Sequence, residues 1–479
     1  MDNSVKRSSI LIKFYPWFVS NSCRSFTDKL NQQYELQRSY EFSVTVSDRQ
    51  YTCSVLFHFS LLILIGYDSA NCLRSSVFSV IDECLRLFHL GTCFYMFKNL
   101  KDCHNTNDFR LLAKQRLPSP IYHYIDGGAD DEVSLRQNTE AYERCDLVPN
   151  ILRGVEDIDM SVTLMGKKIR MPLFFSPTAL QRLFHHQGER AVGKVAEEFG
   201  TFFGISSLAT VSIEEIAERY SCPKIFQLYV HKDQGLNNSM IEKCKEHDFD
   251  AITLTVDTIV GGNRERDLRT GFTSPPKLTP SSFLSFATHP KWALNYLFRQ
   301  KFELPQLQDF VDQGTNITVS VGEYFSTMLD QNMDWNTVEE INKKWGKHLC
   351  LKGVMSVDDA KKAVDVGATA IAVSNHGGRQ LDGTRAPFDQ LAEIVDAVGD
   401  KVDVICDGGI RRGTHVLKAL SLGAKACSGG RMYLYALAAA GEQGVSRAMG
   451  LMQDELTRGM KLMGCKTIDE LGRHNLRFR

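Results

Sequence analysis

The chain has 479 residues, with 56 Lys and Arg set against 57 Asp and Glu for a net charge of -1. That length suits one large barrel-type domain with an appendage, or roughly two to three average domains, and the charge balance offers no electrostatic reason to expect a nucleic-acid partner. The 43% hydrophobic content is ordinary for a globular protein. The 13 cysteines are scattered, with no CxxC pair and no Cys/His zinc spacing, so no metal site is expected. Cys350, Cys406 and Cys427 fall in apolar runs and read as buried free thiols, which suits a reducing compartment.

Residues 1–95 show neither regular periodicity nor a motif, and are read as an unassigned extension. A poorly ordered segment, a small appended domain and sequence foreign to the rest all stay open. Val55 to Ile65 is apolar, but far shorter than the ~20 residues needed to span a bilayer. The first 28 residues are basic and serine-rich, a weak likeness to a mitochondrial presequence. No HPGG or CxxCH haem signature is present.

From about residue 105 the pattern becomes regular. Asn107-Asp108 before FRLLAKQRL predicts a capped helix stopped by Pro118 and Pro120. Strand-like runs follow at Leu173–Ser176, Phe202–Ser206, Ile225–Val230 and Ala251–Val256, then at Leu349–Gly353, Ala370–Ser374, Asp403–Cys406 and Ala424–Ser428. Between them HQGERAVGKVAEEFG, SVDDAKKAVDVG, APFDQLAEIVDAV and THVLKALSLG carry apolar residues at helical spacing. Eight strands with crossover helices predict an α/β fold, a (β/α)8 TIM barrel over 105–479 with an insertion at 258–336. A doubly wound open sheet is the alternative, disfavoured because no GxGxxG follows the first strand.

The chemistry collects where strands end. The sixth run leads into Ser374-Asn375-His376-Gly377-Gly378-Arg379-Gln380-Leu381-Asp382-Gly383. An imidazole can take a proton near neutral pH, and a guanidinium three residues on can grip a carboxylate. The other exits are Pro177-Thr178-Ala179, Ser206-Ser207-Leu208, Gln227-Leu228-Tyr229, Thr255-Val256-Asp257, Lys352-Gly353, Asp407-Gly408-Gly409 and Gly429-Gly430-Arg431. Singly each has an ordinary reading: Asp257 as a turn cap, Tyr229 as a core aromatic, Arg264 as part of a solvated face. Together they would form one convergent pocket. DGGIRRG and SGGR place glycine-rich turns after the last two strands, with Arg411 and Arg431 beside them, a pattern suited to a phosphate.

With SNHGGRQLDG, TVDT, FQLYV, LKGV and DGGIRRG in this order, the chain resembles the FMN-dependent L-2-hydroxy acid oxidase and dehydrogenase family from about residue 105 onward. The resemblance implies FMN as cofactor, a small L-2-hydroxy acid as substrate and a homotetramer. It implies His376 as the base, Asp257 as its carboxylate partner and Tyr229 on the substrate hydroxyl. Tyr124, Arg264 and Arg379 would hold the substrate carboxylate. Pro177, Thr178, Ala179, Ser206, Gln227, Thr255, Lys352, Ser374 and His376 would surround the flavin ring. Asp407, Gly408, Gly409, Arg411, Gly430 and Arg431 would serve its ribityl phosphate. Leu208 stands where glycolate oxidases share a tryptophan, which looks more like the lactate enzymes. Within the insertion, SFLSFATHPKWALNYLFRQ (281–300) places Phe283, Phe286, Trp292, Tyr296 and Phe298 beside Lys291 and Arg299. THPKWA resembles membrane-associated L-lactate dehydrogenases, and a lid packed on the barrel is the other reading. The expected reaction is oxidation of L-lactate or a similar acid to the 2-oxo acid, with electrons passing to a quinone or cytochrome. The compartment would be the cytoplasm or the face of an energy-transducing membrane, with the mitochondrion as alternative. Rivals are an oxygen-reducing oxidase, a non-catalytic phosphate-binding barrel and a non-redox lyase or isomerase barrel.

Overall fold

Strands that are apolar on both faces are buried only between a packed interior and an outer layer of helices, and the eight apolar runs adopt that arrangement. The structure, a computed structural model, describes residues 41–46, 49–54, 99–272, 285–299, 303–307 and 327–479. It divides into two compact units, 1–94 and 95–479. In the first, Glu41–Val46 and Arg49–Ser54 pair antiparallel, with Glu41 opposite Ser54; no sequence signal pointed to this pair. The first 28 residues, the run Val55 to Ile65 and Phe283 lie outside the described residues.

The second unit is a (β/α)8 barrel. Its strands are β1 Leu173–Thr178, β2 Phe203–Ser206, β3 Lys224–Leu228, β4 Ala251–Thr255, β5 His348–Val354, β6 Ala370–Ser374, β7 Asp403–Asp407 and β8 Ala426–Gly429. Each is hydrogen-bonded to the next, and β8 pairs with β1 to close the ring. All eight expected runs became barrel strands, with ends displaced by one or two residues; β3 stops at Leu228, which puts Tyr229 in the loop.

The main helices are α1 Thr106–Arg116, α2 Ser119–Asp126, α3 Val133–Glu143, α4 Glu189–Phe199, α5 Pro290–Phe298, α6 Val357–Asp365, α7 Pro387–Val398, α8 Gly413–Ser421 and α9 Arg431–Met463. The start of α1 corrects the expectation. Asn105, two residues before Asn107, is the cap, its side chain accepting from the Asp108 amide at 3.0 Å. Pro118 does end that helix, but Pro120 sits in the first turn of α2, where a missing N–H costs nothing.

Side chains alternate across each strand, and the barrel interior follows that period. Phe174, Phe202, Ile225, Ala251, Cys350, Ala372, Ile405 and Ala426 form an inner apolar cluster, closed by Val162, Leu164, Met165 and Ile169 from a short hairpin. Met165 donates its amide to Asp403 at the start of β7, so this hairpin plugs the N-terminal end. Two or four residues further along every strand the inward side chain turns polar: Ser176, Ser206, Gln227, Thr255, Lys352, Ser374, Asp407 and Ser428, all buried. A dry apolar plug therefore supports a complete polar layer at the C-terminal rim.

Candidate active site

The loop after β6 carries His376, the expected base. His376, Gly377 and Gly378 have φ of 56°, 66° and 72°, three successive left-handed residues. Glycine is required at the third, where a Cβ would lie 2.5 Å from the Leu135 amide nitrogen. His376 itself holds a conformation that non-glycine residues seldom adopt, a kind of strain typical of functional sites. The bent loop brings its Nδ1 within 3.0 Å of Asp257 Oδ1, just beyond β4. Thr258 Oγ1 donates to the same oxygen at 2.7 Å. With Nδ1 donating to Asp257, the neutral ring has its lone pair on Nε2. Burial pulls the imidazole below its ordinary range, against the pull of Asp257, so the ring is neutral and able to accept a proton at neutral pH. Burial would raise the Asp257 carboxyl, but His376 and Lys352 outweigh it and keep the group ionised.

Gly353, one residue past Lys352, makes room for that carboxylate. Its φ is 111°, and a Cβ there would stand 2.6 Å from Asp257 Cβ.

Two guanidiniums face the imidazole from the rim. Arg379 is anchored through Nη1 on the carbonyls of Tyr124, at 2.6 Å, and Gly127, at 3.1 Å, with its guanidinium 4.9 Å from the Tyr124 ring centre. Tyr124 is in turn stacked on Phe272, centroids 4.5 Å apart. Arg264 is half-buried and pushed down to about 10 by desolvation and by Arg379. A carboxylate placed between two such cations relieves their repulsion and receives paired N–H donors. Tyr229 is buried with them, its phenol driven up by burial and by Asp257, and is thus a neutral hydroxyl.

The opposite side of the rim is built on Asp407. Its Oδ1 accepts from Ser176 at 2.8 Å and Ser428 at 2.6 Å. Its Oδ2 accepts from Ser374 at 2.7 Å and pairs with Lys352 Nζ at 3.0 Å. Against its burial, Lys352 and these hydroxyls hold the carboxyl at about 2. Asp407 and Asp257 together keep Lys352 protonated in spite of burial.

The cleft between these groups encloses about 980 Å³, solvent at its mouth included, the upper end of the range for cofactor and ligand sites. Tyr124, Pro177, Thr178, Ala179, Ser206, Tyr229, Arg264, Lys352, His376, Arg379, Asp407, Gly408, Gly409, Arg411, Gly430 and Arg431 line it. Gln227, Thr255 and Ser374 belong to the same buried inward layer.

The residues fit FMN. Ser206 donates to Gln227 Oε1 at 3.0 Å, and among the described residues the buried Gln227 Nε2 has no acceptor and the buried Thr255 Oγ1 has no partner. A ring edge with carbonyls and an N–H supplies what both lack. Arg411 is half-buried and depressed by desolvation, and no carboxylate pairs with it or with Arg431 among the described residues. Both stand beside the Gly408-Gly409 turn, whose φ values are 150° and 72°, the setting of an anion site. Arg431 has a second task. Three of its N–H groups hold the carbonyls of Ile125, Gly127 and Gly377, tying α2 to the His376 loop.

Two residues here, Ser176 and Ser428, were not singled out from the sequence, nor was the space-making role of Gly353. The serines were detectable from alternation, as inward positions two past Phe174 and Ala426. Nothing local distinguished Gly353.

The insertion folds partly onto the barrel. Trp292 on α5 donates its indole N–H to the Leu183 carbonyl at 2.8 Å, and Ser285 accepts the Ser119 amide at 2.8 Å. Leu294 and Tyr296 are exposed. Among the described residues no helix is long and apolar enough to cross a membrane.

Residues 113–478 match the family described as FMN-dependent dehydrogenase. The chain is 37% identical to glycolate oxidase of Spinacia oleracea over 372 residues, 78% of this chain and 95% of that protein. It is 38% identical over 376 residues to L-lactate oxidase of a Nostoc species, covering 77% and 96% respectively. A crystal structure of the monotopic membrane protein (S)-mandelate dehydrogenase superposes with a TM-score of 0.75 at 32% identity, covering 79% of this chain and 100% of that one. A closed parallel barrel, a rim suited to a flavin phosphate and these likenesses converge: the chain belongs to the FMN-dependent 2-hydroxy acid dehydrogenase and oxidase family, with FMN as its cofactor.

Proposed function

We propose that the protein oxidises L-lactate, or an L-2-hydroxy acid of similar size, to the 2-oxo acid, and passes the electrons to a quinone or cytochrome. The observation that carries the chemistry is the meeting of His376 and Arg379, from the loop after β6, with Asp257 and Arg264, from the loop after β4, at one cleft. Arg379 and Arg264 bind the substrate carboxylate, with the Tyr124 side chain beside them. Tyr229 orients the hydroxyl. His376 removes a proton through Nε2 while Asp257 steadies the imidazolium that results. FMN, when bound, would supply the two-electron acceptor that takes up the electron pair and the second hydrogen of the substrate. Lys352, kept charged by Asp407 and Asp257, supplies positive charge where the cofactor gains negative charge.

Leu208 supports a lactate-sized acid: it is buried, apolar and lines the cleft wall beside Ala179. The acceptor reading is supported by α5, whose exposed Leu294 and Tyr296 would make the peripheral membrane contact that places a quinone within reach. An oxygen-reducing oxidase is the second reading, favoured by the relatives named as oxidases. Anaerobic addition of L-lactate should bleach the yellow chromophore of the purified protein; an unchanged spectrum would exclude the proposed substrate. Peroxide yield in air, with and without a quinone analogue, then separates the acceptors: stoichiometric peroxide that the quinone does not suppress would overturn the dehydrogenase reading.

A further inference from the structure

The loop after β4 carries Asp257 and Arg264, yet its own backbone does little to hold them. β4 ends at Thr255, and Val256 makes the last bond to β5. From Asp257 to Gly262 no backbone–backbone hydrogen bond is made among the described residues. Ile259 and Val260 are exposed, so apolar burial does not fix this stretch either.

The loop after β6 is the opposite case. Asn375 exchanges two hydrogen bonds with Asn138 on α3, both at 2.8 Å. Asp382 accepts the Val133 and Ser134 amides at the start of the same helix, at 3.1 and 2.8 Å. A firmly anchored loop thus stands beside a loosely held one.

One side chain joins them. The buried Gln380 donates both amide protons across the gap, to the Asp257 carbonyl at 3.0 Å and the Val260 carbonyl at 2.8 Å, and accepts the Gly262 amide at 3.2 Å. Two carbonyls at one end of the carboxamide and an N–H at the other allow a single orientation of the group. Gly262 permits the approach: a Cβ there would overlap the Arg379 carbonyl oxygen and stand 2.8 Å from Gln380 Cα. The contacts begin at Asp257 and end two residues short of Arg264, while Gln380 itself directly follows Arg379.

We propose that Gln380 is a positioning residue for the oxidation: its three hydrogen bonds set Asp257 against His376 and Arg264 against Arg379, and so fix the spacing between proton acceptor and carboxylate clamp. The proposal rests on the reaction given above, and Gln380 acts in it through other side chains.

The test is anaerobic reduction of the bound flavin by L-lactate, followed against concentration to separate the limiting rate from the substrate Kd. Gln380→Met keeps the length of the side chain and removes its three bonds. The limiting rate should fall about 10- to 100-fold, the scale of moving a reacting group by about 1 Å. The Kd of L-lactate should rise about two- to tenfold. Gln380→Glu keeps the Gly262 bond but turns an oxygen toward two carbonyls, and should lose at least as much. Added to Asp257→Asn, Gln380→Met should lower the limiting rate by less than about threefold, because its effect passes through the carboxylate already removed. Losses that multiply in the double variant would overturn the proposal. So would a Gln380→Met enzyme with a lowered Tm but the wild-type limiting rate and Kd. Failure of both single variants to retain FMN would make the residue structural and overturn it as well. A wild-type flavin that L-lactate leaves oxidised would remove the substrate reading and this proposal together, whereas an active wild type beside unimpaired variants overturns this proposal alone.

Discussion

Two carboxylates, Asp407 buried and Asp257 partly so, stand on opposite sides of the same rim, and they are built for different purposes. Asp407 has every lone pair engaged by a serine or by Lys352, and is held ionised at about 2. Asp257 has Oδ1 on His376 and Thr258, while its buried Oδ2 has no hydrogen-bond partner among the described residues. A fully satisfied buried charge is a fixed feature of the scaffold. One left short of donors, with a titratable imidazole as neighbour, responds when a proton arrives. The contrast separates the rim into a platform for the cofactor and a corner for the chemistry.

The contrast breaks most visibly at the base. His376→Ala should lower turnover by a factor on the order of 100 to 10,000, with flavin absorbance and circular dichroism preserved; near-normal turnover in a flavin-loaded variant would refute the assignment. Exchanging each acid for its amide sharpens the comparison. Asp407→Asn strips Lys352 of its partner inside the barrel and should cost about 3–5 kcal/mol of stability, the range for breaking a buried ion pair, seen as a fall in Tm and in denaturant midpoint. Asp257→Asn should cost less stability but far more activity, and the opposite ranking would invert the assignment of roles. Gly353→Ala places a methyl group against Asp257 at φ 111°, so a loss of about 1–3 kcal/mol is expected, with reduced kcat. Wild-type kcat in that variant would show that Asp257 has room to move.

The smallest effect is in pH. His376 is depressed below its ordinary value by burial, and it must be neutral to act as base. The acid limb of kcat/KM should therefore lie below about 6.5, the unperturbed imidazole value, with activity falling as pH drops through it. Removing the Asp257 charge takes away a group that favours the protonated ring, so Asp257→Asn should move that limb lower still. A limb above 6.5 in the wild type would contradict the burial seen here.

Much of this was legible in the residues. Apolar runs bounded by helical periodicity marked the eight strands, because a strand buried on both faces has no polar alternation to obscure it. The His376 loop announced itself by paired glycines beside a base and a cation. The α1 cap was misplaced by two residues because Asn105 and Asn107 are equally good caps by type, and only the chain path selects between them. Arg431 was read as a phosphate ligand, yet three of its donors hold α2 and the His376 loop, a task invisible without knowing which carbonyls come near.

Sequence alone therefore determined the identity of the elements, the polar step at each strand end and the types of group available, since these follow from periodicity and residue chemistry. Tertiary structure decided which groups meet. Asp257 reaches His376 across 119 positions of chain and Ser176 reaches Asp407 across 231, contacts set by closure of the ring and by the register of neighbouring strands. Whether a buried polar atom is satisfied is a property of that closed geometry, and it distinguishes the platform from the reactive corner.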